Sequence, residues 1–159
     1  MEKTNVMRVL DAKKIQYVSH CFEETGETNG VNVAKILGQD PSKVFKTLVT
    51  VSAKTKKNYV FVIPVDKELD LKKAAKAVGE KSIEMIKQKE LLPLTGYVHG
   101  GCSPIGMKKL FPTVFHFTAE ETEQICFSGG KIGYQVELYL EDIKKIVPYR
   151  LADIVVDSE

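Results

Sequence analysis

Two runs, FKTLVTV over 45–51 and YVFVIPV over 59–65, hold mostly β-branched, aromatic and other apolar residues, and only the polar and small residues SAKTKKN lie between them. Such side chains fit a pleated surface, and a short polar link between two of these runs predicts a β-hairpin. The chain on either side changes periodicity repeatedly. Thr4 caps a helix carrying Val6, Met7, Val9 and Leu10, and 17–22 reads as a short strand followed by an acidic loop over 23–30. Val31, Ala34, Ile36 and Leu37 make a short helix closed by Gly38, and Asp40-Pro41 begins one more turn.

Beyond the hairpin, Asp70 caps a helix whose Leu71, Ala74, Ala75 and Val78 recur at helical spacing until Gly79, leaving Lys72, Lys73 and Lys76 outside. Residues 82–86 predict a strand and 87–92 a short helix stopped by Pro93. Strands are predicted over 96–99, 113–118, 124–128 and 133–138, then a helix over 141–147 and a strand near 151–156. With no repeat or dividing linker, residues 1–159 are expected to form one α+β domain with a mixed, largely antiparallel sheet.

Charge is unevenly spread. Residues 41–109 hold fourteen lysines against six acids, a local excess of +8 in a chain of net charge +2, so the remainder carries −6. That asymmetry points to a polyanionic or phosphate-bearing partner. Arg8 and Arg150 are the only arginines, and lysine holds phosphate as a point charge without the fork that reads guanine edges. No apolar run approaches the roughly 20 residues of a membrane span, and MEKTNVMRVL lacks a cleavable leader pattern. Cys21, Cys102 and Cys126 are odd in number and far apart, which points away from a disulfide framework and toward a reducing, cytoplasmic location.

Three places can carry chemistry. Lys46 falls at the mouth of the first hairpin strand. If Val44 and Leu48 share its side, its ammonium emerges from a partly apolar wall, where attraction for phosphate or a developing oxyanion is strengthened; the competing reading is an edge lysine that discourages strand pairing. The loop Gly100-Gly101-Cys102-Ser103-Pro104-Ile105-Gly106, followed by Met107-Lys108-Lys109, permits close approach of a ligand to backbone amides, although it matches neither nucleotide-phosphate pattern. Ser128-Gly129-Gly130-Lys131 is a tight turn offering a hydroxyl and further amides.

The usual rivals find little support in the spacing. Neither serine sits in a nucleophile elbow, and His20, Cys21, His99, Cys102, His116 and Cys126 form no recognised metal spacing. His116, alternating with Phe115 and Phe117, reads as a surface or sheet-face residue, and Cys102 as a small packed thiol.

Four blocks in order, VFKTLVT at 44–50, LDLKKAAKAVGEKSIEM at 69–85, TGYVHGGCSPIGMKK at 95–109 and FSGGKIGYQVEL at 127–138, resemble the YbaK/EbsC family of tRNA-editing proteins, the Cys-tRNA(Pro) deacylases. The resemblance implies a compact, barrel-like α+β domain, related to the editing domain of prolyl-tRNA synthetase, that hydrolyses the ester of a mischarged tRNA without cofactor or metal. A synthetase pocket rejects a residue of similar size poorly, so a second site supplies the discrimination between cysteine and proline. Carried over residue by residue, Lys46, Gly101 and Ser128 become the catalytic groups. Phe22, Phe45, Thr47, Gly100, Cys102, Ser103, Pro104, Gly129, Gly130 and Gln135 become the substrate-binding groups.

Two positions depart from the pattern: Phe22 stands where relatives carry a tyrosine, and Gln135 where they carry an aspartate. Lys72, Lys73, Lys76, Lys108 and Lys109 are expected to hold the acceptor stem through its phosphates. Mischarged tRNA(Pro) and a transient complex with prolyl-tRNA synthetase are the implied partners. Deacylation of Ala-tRNA(Pro), a non-catalytic RNA-end module and a Cys102 thiol enzyme stand as alternatives.

Overall fold

In the computed structural model, which describes residues 2–157, most boundaries fall where a cap or a glycine puts them. Thr4 accepts the Met7 N–H at 3.2 Å and starts α1 (Asn5–Ala12). After β1 (Val18–Cys21), Asn29 accepts from the N–H groups of Val31 and Asn32 and starts α2 (Gly30–Ile36). The hairpin is β2 (Phe45–Ser52) with β3 (Asn58–Pro64), antiparallel, Lys46 opposite Ile63. Asp70 caps α3 (Leu71–Val78), which Gly79 ends at φ +73°. Then come β4 (Ile83–Met85), α4 (Gln88–Thr95), β5 (Thr113–His116), β6 (Gln124–Ser128), β7 (Tyr134–Tyr139), α5 (Leu140–Ile143) and β8 (Tyr149–Ala152).

The strands make two sheets rather than one closed barrel: β1-β7-β6, antiparallel throughout, and β4-β2-β3-β5-β8. A bridge between Val44 and Cys126 joins them. Alternation along β3 divides the interior, since successive side chains point to opposite faces. Val60 and Val62 enter the main core with Leu10, Phe115, Phe127 and Leu138, whereas Tyr59, Phe61 and Ile63 lie under α3 with Ala74, Ala75 and Ile154. A third, small cluster of Ala34, Val44, Val65 and Cys126 seats α2.

Three expectations are corrected. α4 runs through Pro93 to Thr95, because the proline removes one backbone bond near the end of a helix that Gly96, at φ +87°, then closes. Residues 96–99 are not a strand. The strand expected over 113–118 stops at His116, and Phe117–Glu121 is a 3-10 turn. The expectation of mixed, largely antiparallel pairing holds: only β3–β5 and β5–β8 are parallel among the paired strands of the described residues. Parallel neighbours need long connections, so no turn signal announces them.

Candidate active site

The outer edge of β2 is unfinished. β3 pairs with one side of it throughout, but β4 pairs with the other only from Thr50 to Ser52. Val44 to Leu48 instead line a cavity of about 280 Å³, closed by the start of α2, the loop from His99 to Cys102, and β6 with β7. Because the cavity wraps around a strand edge, Phe45 and Thr47 border it together with Lys46, despite alternating with it.

Lys46 is half-buried. Desolvation pushes its pKa below the ordinary lysine range, and the carboxylates of Glu68 and Asp66 oppose that shift. Beside it, Thr47 also lines the cavity, and its Oγ1 is buried with no hydrogen-bond partner among the described residues. Phe22, Phe45 and Phe127, all nearly buried, give the cavity its apolar walls. With phenylalanine at 22, no hydroxyl reaches the cavity from that position.

Gln135 is 3% exposed and also lines the cavity. Its amide pairs reciprocally with Gln39: Gln39 Nε2 donates to Gln135 Oε1 at 2.7 Å, and Gln135 Nε2 donates to Gln39 Oε1 at 3.0 Å. The uncharged amide is thereby fixed across the gap between β7 and the loop after α2. Gln39 carried no sequence signal, being a lone glutamine beyond a helix-ending glycine.

The Ser-Gly-Gly turn contributes mainly through Ser128, whose Oγ accepts from the Gly130 N–H at 3.1 Å and keeps its own proton to donate. The Gly129 N–H is taken by the Tyr134 carbonyl at 2.8 Å, and neither Gly129 nor Gly130 lines the cavity. Gly130 sits at φ +92°, and a Cβ there would stand 2.7 Å from Val6 Cγ2, so the position requires glycine to shape the turn.

In the glycine loop, Gly100 and Cys102 line the cavity, and their N–H groups donate to no acceptor among the described residues. The neighbouring Gly101 donates to the Val98 carbonyl at 2.9 Å and packs on the backbone of Lys131 and Ile132. Ser103, fully buried, accepts from the Ile105 N–H at 3.3 Å, and Pro104 is buried beside it. Gly101, Ser103 and Pro104 therefore build the loop's interior and stand behind the cavity wall. Burial pushes the Cys102 thiol up to about 12, so it is protonated at neutral pH and a poor nucleophile.

The expected phosphate lysines are dispersed. Lys72 and Lys76 are exposed on α3, which contributes no residue to the cavity. Lys73 is committed elsewhere, donating to Asp153 at 2.9 Å, Asp157 at 2.6 Å and the Val155 carbonyl at 2.9 Å. Lys108 lies across Gly96, and the Lys109 ammonium is 6.0 Å from the Phe111 ring centre. His116, expected on a surface or sheet face, is 4% exposed; its Nδ1 accepts from the Ile154 N–H at 3.3 Å, and burial lowers its pKa. No group of three His, Cys, Asp or Glu side chains is gathered for a metal among the described residues.

Missed from sequence are Thr28, Asn29, Gly30 and Val33, which form the α2 wall of the cavity. Asn29-Gly30 was the available signal: a capping residue, then a glycine where a Cβ would overlap Val65 Cγ1 and stand 2.8 Å from Val65 Cβ.

A cavity at an open strand edge, holding a half-buried lysine, free loop amides and a hydroxyl, has the features of a site for an acyl ester or phosphate. The chain belongs to the aminoacyl-tRNA editing domain family, whose model matches residues 24–146. It is 45% identical over 154 residues to EbsC of Enterococcus faecalis, a protein whose name describes a Cys-tRNA(Pro)/Cys-tRNA(Cys) deacylase, covering 96% of this chain and 93% of that one. The proline–tRNA ligase of Shouchella clausii is 28% identical over 101 residues, 64% of this chain but 17% of the ligase.

Among solved structures, one described as a trans-editing enzyme for prolyl tRNA synthetase superposes with a TM-score of 0.81 at 21% identity, covering 99% of this chain and 100% of that one. The hypothetical protein APE2540 superposes at 0.86 with 20% identity, covering 96% and 100%. These two establish the shared fold.

Proposed function

We propose that the protein, acting as a single editing domain in the cytoplasm, removes cysteine from Cys-tRNA(Pro) and also from Cys-tRNA(Cys). The reading is carried by one observation: Lys46, Gly100 and Ser128, distant in sequence, line the same cavity beside apolar walls suited to a small side chain. It is supported by the identity to a relative described as such a deacylase over nearly the whole chain.

The substrate's own thiol serves as nucleophile. Its sulfur bonds to the ester carbonyl carbon, the bond from that carbon to the ribose oxygen breaks, and the thiol proton ends on the departing oxygen. The products are tRNA with a free 3′ hydroxyl and a four-membered cyclic thioester, which water opens to cysteine. Well-oriented intramolecular attack reaches effective molarities of about 10⁵ M or more, so holding the aminoacyl group in a reactive pose supplies much of the acceleration.

Lys46 neutralises the terminal phosphate or the carbonyl oxygen, the free N–H groups of Gly100 and Cys102 face that oxygen, and Ser128 donates its hydroxyl proton. Because phosphate contacts carry little sequence information, selection of tRNA(Pro) is assigned to a transient complex with prolyl-tRNA synthetase.

The test is deacylation of Cys-tRNA(Pro) beside Ser-tRNA(Pro), in which cysteine should be released far faster because a hydroxyl is the poorer nucleophile at neutral pH. Equal rates would defeat thiol assistance. Lys46→Ala should lower turnover by about 10²-fold or more while leaving tRNA affinity nearly intact.

A further inference from the structure

We infer that the 3′ end of the tRNA approaches the cavity over α4 and the 96–110 loop, and that Lys87 and Lys89, with Lys108 and Lys109, form its phosphate track. This rests on the proposed editing function for the identity of the polyanion; the choice of face comes from the arrangement of charge.

α4 and the loop that follows it both reach the cavity, through Leu91 and through His99, Gly100 and Cys102. Residues 86–111 contain four lysines and one acid, Glu90. The Glu90 carboxylate is occupied by the Lys87 backbone N–H at 2.9 Å. Lys87 is the residue that caps the start of α4, four positions before the cavity-lining Leu91. Lys87, Lys89, Lys108 and Lys109 are all exposed, and none is in a salt bridge among the described residues.

The surroundings of α3 are opposite in character. Its three lysines and Arg150, which donates to the Ala77 carbonyl at 2.8 Å, lie among four carboxylates: Asp70 at its start, Glu80 beyond its end, and Asp153 and Asp157 on Lys73. α3 also covers the far layer of the larger sheet, over Tyr59, Phe61 and Ile63. Local pairing there weakens the field that a polyanion meets, whereas residues 86–111 keep an excess of three positive charges.

The same stretch of chain exposes apolar side chains: Leu92 is 50% exposed, Val98 45% and Leu110 61%. Lysines interleaved with apolar surface suit an unpaired, flexible nucleic-acid end, whose phosphates take the charges while its bases rest on the apolar groups. A paired stem needs only the charges.

The experiment measures affinity for uncharged tRNA against salt concentration, using Lys87→Glu/Lys89→Glu, Lys72→Glu/Lys76→Glu and the hairpin-tip variant Lys54→Glu/Lys56→Glu, with melting curves to check folding. The α4 variant should lose at least about tenfold in affinity at low salt, and its log–log salt slope should fall by about 1.5–2. With Cys-tRNA the same variant should raise KM and spare kcat. The α3 variant should lose less than the α4 variant, and the hairpin-tip variant should stay within about twofold of the parent. Equal losses in all three variants, or a larger loss on α3, overturn the assignment. Since the binding arm uses uncharged tRNA, wild-type protein that binds with this pattern but releases no cysteine would refute the editing function and leave the docking face standing.

Discussion

Replacing Gln39 by leucine keeps the bulk of the side chain and removes one half of the amide pair that spans the cavity's edge. Gln135 is 3% exposed, and both its carbonyl and one of its N–H groups lose their protein partners. An unsatisfied buried polar group costs about 1–3 kcal/mol. At about 2 kcal/mol, a chain of this size loses about 4–8 °C in Tm. Gln135→Leu should cost less, because the freed Gln39 amide is only partly buried and reaches water.

The double leucine variant leaves neither amide orphaned and should recover at least about 1 kcal/mol relative to the sum of the single effects, within the range found for contacting pairs. Urea and thermal unfolding followed by circular dichroism close the cycle. A Gln39→Leu cost below about 0.5 kcal/mol, with no coupling to Gln135, would refute the pair.

Cys102→Ala should retain deacylation within about tenfold, whereas a covalent thiol enzyme would lose activity by orders of magnitude. Because the Cys102 thiol is pushed up to about 12, its alkylation by iodoacetamide between pH 7 and 9 should lag far behind that of exposed Cys21; a mass spectrum showing comparable rates would contradict the burial. Gly30→Ala should destabilise by about 1–3 kcal/mol through collision with Val65. Adding Val65→Ala should cost less than the two single effects combined, and strict additivity in denaturant unfolding would place the strain elsewhere.

Local signals carried most of the secondary structure. Thr4, Asn29, Asp40 and Asp70 each accept backbone N–H groups at a helix or turn start, and the hairpin strands lie where their β-branched runs put them. What was illegible depends on meeting at a distance. Parallel pairing of β3, β5 and β8 leaves no mark on any one segment, and the buried His116 takes its hydrogen bond from the backbone N–H of Ile154, 38 residues away. The cavity was half legible. Lys46, Gly100, Cys102 and Ser128 stand out by type or motif, whereas Gln39 and the wall from Thr28 to Val33 matter through what the fold brings against them. Lys73 had the right charge for phosphate, but the last residues of the chain already claim it.

The short reach of β4 along β2 has a wider effect. A sheet completed on that side would be more regular, but it would fill the notch with a neighbouring strand. Leaving the seam open supplies a rigid backbone rail at the bottom of a hollow, with α2 and the glycine loop as its banks, so that an incoming strand from another molecule finds no flat margin to extend. The gap that makes room for a guest is thus also what keeps strangers from pairing there.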